Sequence, residues 1–357
     1  MSVPSYGILG RTLCDIDRVF TEPADWDELI RRAREADLLG TLAYRLAERG
    51  RIDDVPAAPR AHLVSARTLC DAQQAAVHRE VAEIGRALAP LQTPIVLLKG
   101  AAYLLAVLPA ANGRLFSDVD ILVKKDALPA VESALMLAGY ATTHHDPYDQ
   151  RYYRRWMHEL PPMQHVKRLT LLDVHHALVP ETARLRPDSQ TLFRHAIALE
   201  RDGVSILAPS DMVLHSVTHA FNNEEMTHGL RDLVDIDALL RHFGADGGFW
   251  DRLIDRAGEL QLTRPLYYAA QWTTRLLGTP VPPDAQARIQ ASAPPAPTLV
   301  LMNAVLGPAL RPTVSMPGTR WARRVLYVRG HWLKMPVGLL GVHLTIKAFR
   351  RKQRPTP

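Results

Sequence analysis

The segment Gly113-Arg114-Leu115-Phe116-Ser117-Asp118-Val119-Asp120-Ile121-Leu122-Val123 holds the densest set of reactive side chains in this 357-residue chain. Residues 119–123, apolar apart from Asp120 and rich in β-branched side chains, read as a strand. Side chains alternate along a strand, so Asp118 and Asp120 share a face, with Cα atoms roughly 6.6 Å apart. Two carboxylates placed this way repel unless a cation lies between them. Magnesium (or manganese) suits that place, because it takes hard oxygen ligands and binds through one or two carboxylates together with substrate phosphates. A third carboxylate would complete a two-metal site. Asp173 is the candidate, since it interrupts the apolar run Leu169-Thr170-Leu171-Leu172-Asp173-Val174-His175, a further strand. Ser117 either orients Asp118 or completes the turn before it.

Leu98-Lys99-Gly100 supplies the complementary element. Residues 95–98 read as a short buried strand and 101–108 as a helix, so the glycine falls at a strand-to-helix turn. A phosphate can approach the backbone closely there, and the helix start offers free N–H groups and a positive dipole end. Lys99 adds a cation, as Arg114 does from across the pocket. His175 shares the Asp173 face and is placed to support it, whereas His176 points the other way and packs. Asp211, His215 and His219 recur at i, i+4 and i+8 on one helix face, which suits either zinc or a polar substrate wall. Arg231, Asp232 and Asp235 read as ion pairs between helices.

The elements that must position these groups follow from pattern. Asp25 caps a helix reaching about residue 49, and 61–91 form a second, giving a helical region over 1–90. Strands and helices then alternate over 91–200: strand 95–98, helix 101–108, strand 119–123, a helix capped by Asp126 and ending near Gly139, an extended stretch from Tyr140, and strands at 152–157 and 169–175. Helices resume over 201–280, beginning at Ser210 or Asp211, continuing through 230–240 and closing with a long one over 250–277. Six prolines between 280 and 297 mark an exposed connection. The basic end of the chain completes a fourth region, 281–357. This is an α+β organisation, a small mixed α/β core flanked by helical regions.

Composition narrows the class. Hydrophobic residues make up 47% and charged residues 22%, an ordinary folded composition that excludes a mainly disordered chain. Cys14 and Cys70 form no CxxC pair, no secretory leader is read at the start, and no apolar run is long enough to span a bilayer, so the expected address is cytoplasmic. The net charge of +6 hides an asymmetry: after Asp284 come 12 Lys and Arg and no acid, while 31 Lys and Arg face 37 Asp and Glu before that point. A mildly acidic body therefore carries a cationic arm, either a solvated face or a contact for a polyanion, a membrane surface or an acidic partner. Residues 335–346 are apolar between basic flanks. They are too short to span a membrane, and they could lie on one, dock on the body or accompany an RNA partner.

Strand, Lys-Gly, helix, Gly-Arg-x-x-Ser-Asp-x-Asp and a later strand carboxylate together resemble the nucleotidyltransferase fold of the DNA polymerase β superfamily. Over about residues 20–275 the chain is similar to the uncharacterised nucleotidyltransferase family within it, the Arg-Asp-Leu-Val-Asp-Ile helix included. The resemblance implies attack by an acceptor hydroxyl on the α-phosphate of a nucleoside triphosphate such as ATP, with release of pyrophosphate. By position, Asp118 and Asp120 match the family's paired ligands for magnesium or manganese. Asp173 matches the third carboxylate, which binds the second metal or helps deprotonate the hydroxyl. Lys99, Gly100, Arg114 and Ser117 would contact the nucleotide. The chain departs from the family pattern at Ala101, where a serine or glycine usually follows the turn glycine. The acceptor is open between small molecule, RNA and protein. Two rivals are a toxin-like transferase modifying RNA or protein and a degenerate core serving as an interaction module.

Overall fold

The computed structural model describes residues 6–22, 24–143, 146, 150, 153, 154, 156–200, 202–223, 225–312, 315–336, 338 and 341. Its centre is a mixed seven-stranded sheet in the order β3-β4-β5-β2-β1-β7-β6. The strands are β1 (Val96–Leu98), β2 (Asp118–Leu122), β3 (Tyr140–Thr142), β4 (Met163–His165), β5 (Leu171–His175), β6 (Ile197–Ala198) and β7 (Ser205–Ile206). The helices of the N-terminal and C-terminal segments surround it, so the fold is α+β. A single hydrophobic cluster runs from Tyr6 to Leu326 and includes the fully buried Leu97, Ile121 and Leu172.

The middle of the sheet sets the chemistry. β1 runs antiparallel to β2, with Leu98 opposite Asp120, and β2 runs parallel to β5, with Asp120 directly beside Asp173. Beyond the Pro161-Pro162 irregularity, Glu159 bridges antiparallel to His175 and extends that side of β5. The long helix Ala57–Leu88 anchors the other end of the sheet through Glu80, which is only 2% exposed. Thr170 Oγ1 and Arg168 Nε each donate to this carboxylate at 2.6 Å, and the Tyr140 hydroxyl donates as well.

Several elements differ from the sequence reading, each for a local reason. The first helix is two, Trp26–Glu35 and Leu39–Glu48, because Asp37 takes a left-handed backbone between them. Asp25 does cap the first, accepting from Glu28 N at 2.9 Å. The helix placed at 101–108 is Lys99–Leu105, stopped before Val107, another left-handed residue. At 152–157 the described residues Tyr153, Arg154 and Trp156 are helical rather than extended. The helix Pro209–Asn222 takes neither Ser210 nor Asp211 as its cap, Asp211 being held instead by Arg256 Nε at 2.6 Å. The long 250–277 pattern is broken into Phe249–Glu259 and Thr263–Leu277 around a left-handed Gln261. The proline stretch read as an exposed connection forms two helices, Pro283–Gln290 and Ala296–Ala309. Pro283 and Pro297 sit in first turns, where a missing N–H goes unused.

Much of the cationic arm is likewise folded onto the body. Arg329 donates to Phe221 O at 2.7 Å and Lys334 to Asn223 Oδ1 at 2.7 Å, while Arg323 donates within the region itself, to Ala309 O and Arg311 O. Arg320 and Arg324 are exposed on the helix Thr319–Lys334. Lys347, Arg350, Arg351, Lys352 and Arg354, and most of the apolar 335–346 stretch, lie outside the described residues. Among the described residues no helix is long and apolar enough to cross a membrane.

Candidate active site

The site is built on the ends of β1, β2 and β5. The loop entering β2 is clamped by packing that only glycine permits: a Cβ on Gly113, whose φ is +70°, would lie 2.3 Å from the Gly40 backbone. Gln73 Oε1 accepts from Phe116 N at 3.0 Å, which ties the same loop to the long helix. Ser117 Oγ donates to Asp118 Oδ1 at 2.8 Å, so the serine does orient that carboxylate.

Asp118, Asp120, Asp173 and His175 all fall on one face, since Asp120 pairs with Asp173 and Leu122 with His175 in the parallel register. Lys99 Nζ donates to Asp120 Oδ1 at 2.7 Å, and His175 Nε2 lies 3.0 Å from the same oxygen. Burial works against charge on Asp120, but Lys99 and His175 outweigh it and hold that carboxyl far below its usual range. Asp173 lacks such cover. Its burial, and then its neighbours Asp120 and Glu159, push its carboxyl up to about 7. Burial and Asp120 raise Asp118 as well. Four carboxylates, Glu159 included, thus share one ammonium and one imidazole. Ligand atoms of Asp120, Asp173 and His175 lie within 4.8 Å of one another. Asp118 shares the face but falls outside that cluster, and the oxygen donors of Asp120 and Asp173, in a set short of positive charge, are of the kind magnesium or manganese takes.

The strand-to-helix turn works differently from the sequence expectation. Lys99, at φ +46°, and not Gly100, takes the left-handed backbone, which costs a lysine about 1–2 kcal/mol. Its ion pair with Asp120 holds that conformation. Gly100 makes room for Arg114: a Cβ there would lie 2.5 Å from Arg114 Nη1. Arg114 Nε in turn donates to Asp235 Oδ2 at 2.9 Å.

Two cavities share Lys99, Asp118 and His219. The larger, about 400 Å³, is walled by Leu178, Val179, Leu185 and Leu333 on one side and by Asp173, His175 and Glu159 on the other. The smaller, about 270 Å³, is polar, with Arg114, Ser117, Arg231 and Asp232. Arg231 reaches Asp232 at 3.3 Å, and its buried Nε has no hydrogen-bond partner among the described residues.

A family model for uncharacterised nucleotidyltransferases matches residues 22–278. The chain belongs to that family. No curated protein matches it. The match begins before the helix Trp26–Glu35 and ends at Gly278, covering the sheet and the helices through Thr263–Leu277, whereas Leu333 of the larger cavity lies beyond it.

The remaining sequence candidates divide. Asp211, His215 and His219 do not act together: Asp211 is held by two nitrogens of Arg256, and burial drives the His215 imidazole down to about 3. His219 faces the cavities as a polar wall. His176 is buried, 3.3 Å from Met157 O, in a packing role. Sequence reasoning missed His158 and Glu159. Their His-Glu dipeptide carries no spacing signal, and only the bridge to His175 brings it to the site.

Proposed function

We propose that the protein is a divalent-metal-dependent nucleotidyltransferase, moving a nucleoside monophosphate from a nucleoside triphosphate to an acceptor hydroxyl. The observation that carries this reading is the register that stands Asp120 beside Asp173, with Asp118 on the same face. Magnesium or manganese bound by these carboxylates would neutralise phosphate charge and align the displacement. Lys99 keeps Asp120 ionised and oriented, and Ser117 orients Asp118. The smaller cavity suits the polyphosphate, because Lys99, Arg114 and Arg231 line it. The larger, half-apolar cavity suits an acceptor with hydrocarbon surface beside its hydroxyl.

In the reaction, the acceptor oxygen bonds to the α-phosphorus as the bond to the bridging oxygen breaks, and pyrophosphate leaves. The hydroxyl proton passes to Asp173, which stands beside Asp120 on the same face of the sheet. One observation favours a second reading, an interaction module: Ala101 is 1% exposed and the space beside Gly100 is filled by Arg114, leaving a turn with no hydroxyl for phosphate. The test is incubation with each α-labelled triphosphate, magnesium and a cell extract, following label transfer and pyrophosphate. Magnesium-dependent labelling of one acceptor class is expected. Absence of both labelling and magnesium-dependent triphosphate binding would overturn the enzyme in favour of the module.

A further inference from the structure

His175 faces a carboxylate at each ring nitrogen. Nε2 lies 3.0 Å from Asp120 Oδ1 and Nδ1 lies 3.3 Å from Glu159 Oε2. An ionised carboxylate only accepts, so each contact needs a hydrogen or a cation on the nitrogen: the ring is either an imidazolium, which Asp120 and Glu159 favour, or a neutral imidazole with one N–H and a cation at the other nitrogen. In the neutral ring the shorter contact, to Asp120, takes the N–H. Nδ1 then turns a lone pair toward the Glu159 oxygen.

A second imidazole, that of His158, stands at the same place. His158 Nδ1 is buried with no hydrogen-bond partner among the described residues. The His158 and His175 rings lie 5.3 Å apart, and ligand atoms of His158, Glu159 and His175 fall within 4.8 Å of one another. All three residues line the larger cavity, so an ion has a route in.

We propose that His158, Glu159 and His175 bind a zinc ion, at a site separate from the oxygen donors Asp118, Asp120 and Asp173. Two imidazoles and a carboxylate form a softer donor set than magnesium takes, and three protein ligands leave a fourth position open to the cavity. Bound at Nδ1, the ion fixes the His175 tautomer with its proton on Nε2. The Nε2–H to Asp120 is then the carboxylate contact that ligating histidines usually make. Zinc here is a positioning device for Asp120, one ring removed from the phosphates.

The test uses the full-length protein, stripped with a chelator and titrated with Co²⁺ as a spectroscopic probe for zinc. One Co²⁺ per chain with visible absorption is expected, undisturbed by millimolar Mg²⁺. His158→Ala and Glu159→Gln should each weaken it more than tenfold, Asp120→Asn about 10- to 100-fold through the outer contact, and Asp118→Asn not at all. Circular dichroism of each variant checks that it folds. Nitrogen-detected NMR of the zinc-loaded protein supplies a readout without substitution: His175 Nδ1 should carry no proton. Both ring nitrogens protonated at neutral pH with zinc present would overturn the proposal, making His175 an imidazolium between two carboxylates. So would Co²⁺ affinity unchanged by His158→Ala and Glu159→Gln. None of these readouts requires nucleotide transfer, so failure of the transferase reading and failure of the zinc site are told apart.

Discussion

Glu80 and Asp173 are both carboxylates packed against the same sheet, and they have opposite electrostatic fates. Glu80 has as many donors as its oxygens can use: Arg168, Thr170 and Tyr140 hold it below the ordinary carboxylate range although burial works against its charge. Asp173, three residues beyond Thr170, has acidic neighbours instead and is raised to about 7. A satisfied buried carboxylate ties elements together. An under-neutralised one stores an affinity for a cation or a proton, which is what a transferase site needs.

The strongest test of that contrast is Asp118 against Asp120. Either change to Asn should lower magnesium-dependent transfer by about 10³-fold, the size of several kcal/mol of lost charge stabilisation. Their folding effects should diverge. Asp120→Asn strands the buried Lys99 ammonium and should cost about 3–5 kcal/mol, whereas Asp118→Asn relieves repulsion and should leave stability in chelator unchanged or higher. Urea midpoints decide it, and equal losses in the two variants would erase the distinction. From the sequence the two aspartates look interchangeable, because nothing in Lys99-Gly100 says that the lysine turns back onto Asp120.

Glu80→Ala should behave as a purely structural loss. Two hydroxyls and one guanidinium lose their acceptor, at a cost of about 2–4 kcal/mol, while triphosphate binding by titration calorimetry stays at the wild-type value. A loss of nucleotide affinity would mean that the two clusters are coupled through β5.

How far such differences could be read in advance depends on chain separation. The shared face of Asp118 and Asp120 was legible because strand alternation is a local pattern, whereas Lys99-Gly100 read as a phosphate turn and instead holds Asp120 and makes room for Arg114. Asp173 was legible because an acid inside an apolar run is conspicuous. Glu159, His158 and Glu80 were not, since each reaches its partners through sheet pairing or helix docking across many residues. The short β6 and β7 carry too few residues for any periodicity, and the prolines at 282–297 signalled loop when they serve as helix starts.

Proton competition gives the next effect. Asp173 is raised in the folded state, so its contribution to stability is full below the unfolded value of 3.8 and lost as pH rises through about 7. In chelator, stability should therefore decline between about pH 4 and 7, and Asp173→Asn should flatten that decline. Asp120 acts in the opposite sense, since its depressed carboxyl contributes above 3.8 and loses ground only in stronger acid. Magnesium must displace the Asp173 proton, so the thermal shift it causes should grow over the same interval. A magnesium shift independent of pH would remove Asp173 from the ion's neighbourhood.

The smallest effect belongs to an exposed trio with short contacts. Arg288 reaches Asp251 at 2.6 Å and Asp255 at 2.5 Å, closer than Lys99 is to Asp120, yet all three side chains are well exposed to solvent. Water solvates these charges whether or not they meet, and salt screens what remains, so distance alone does not set the strength of a pair. Arg288→Gln should leave the urea midpoint within measurement error at moderate salt. If it instead destabilises as much as Asp120→Asn, burial is not what separates the carboxylates of this protein, and the contrast between Glu80 and Asp173 would need another cause.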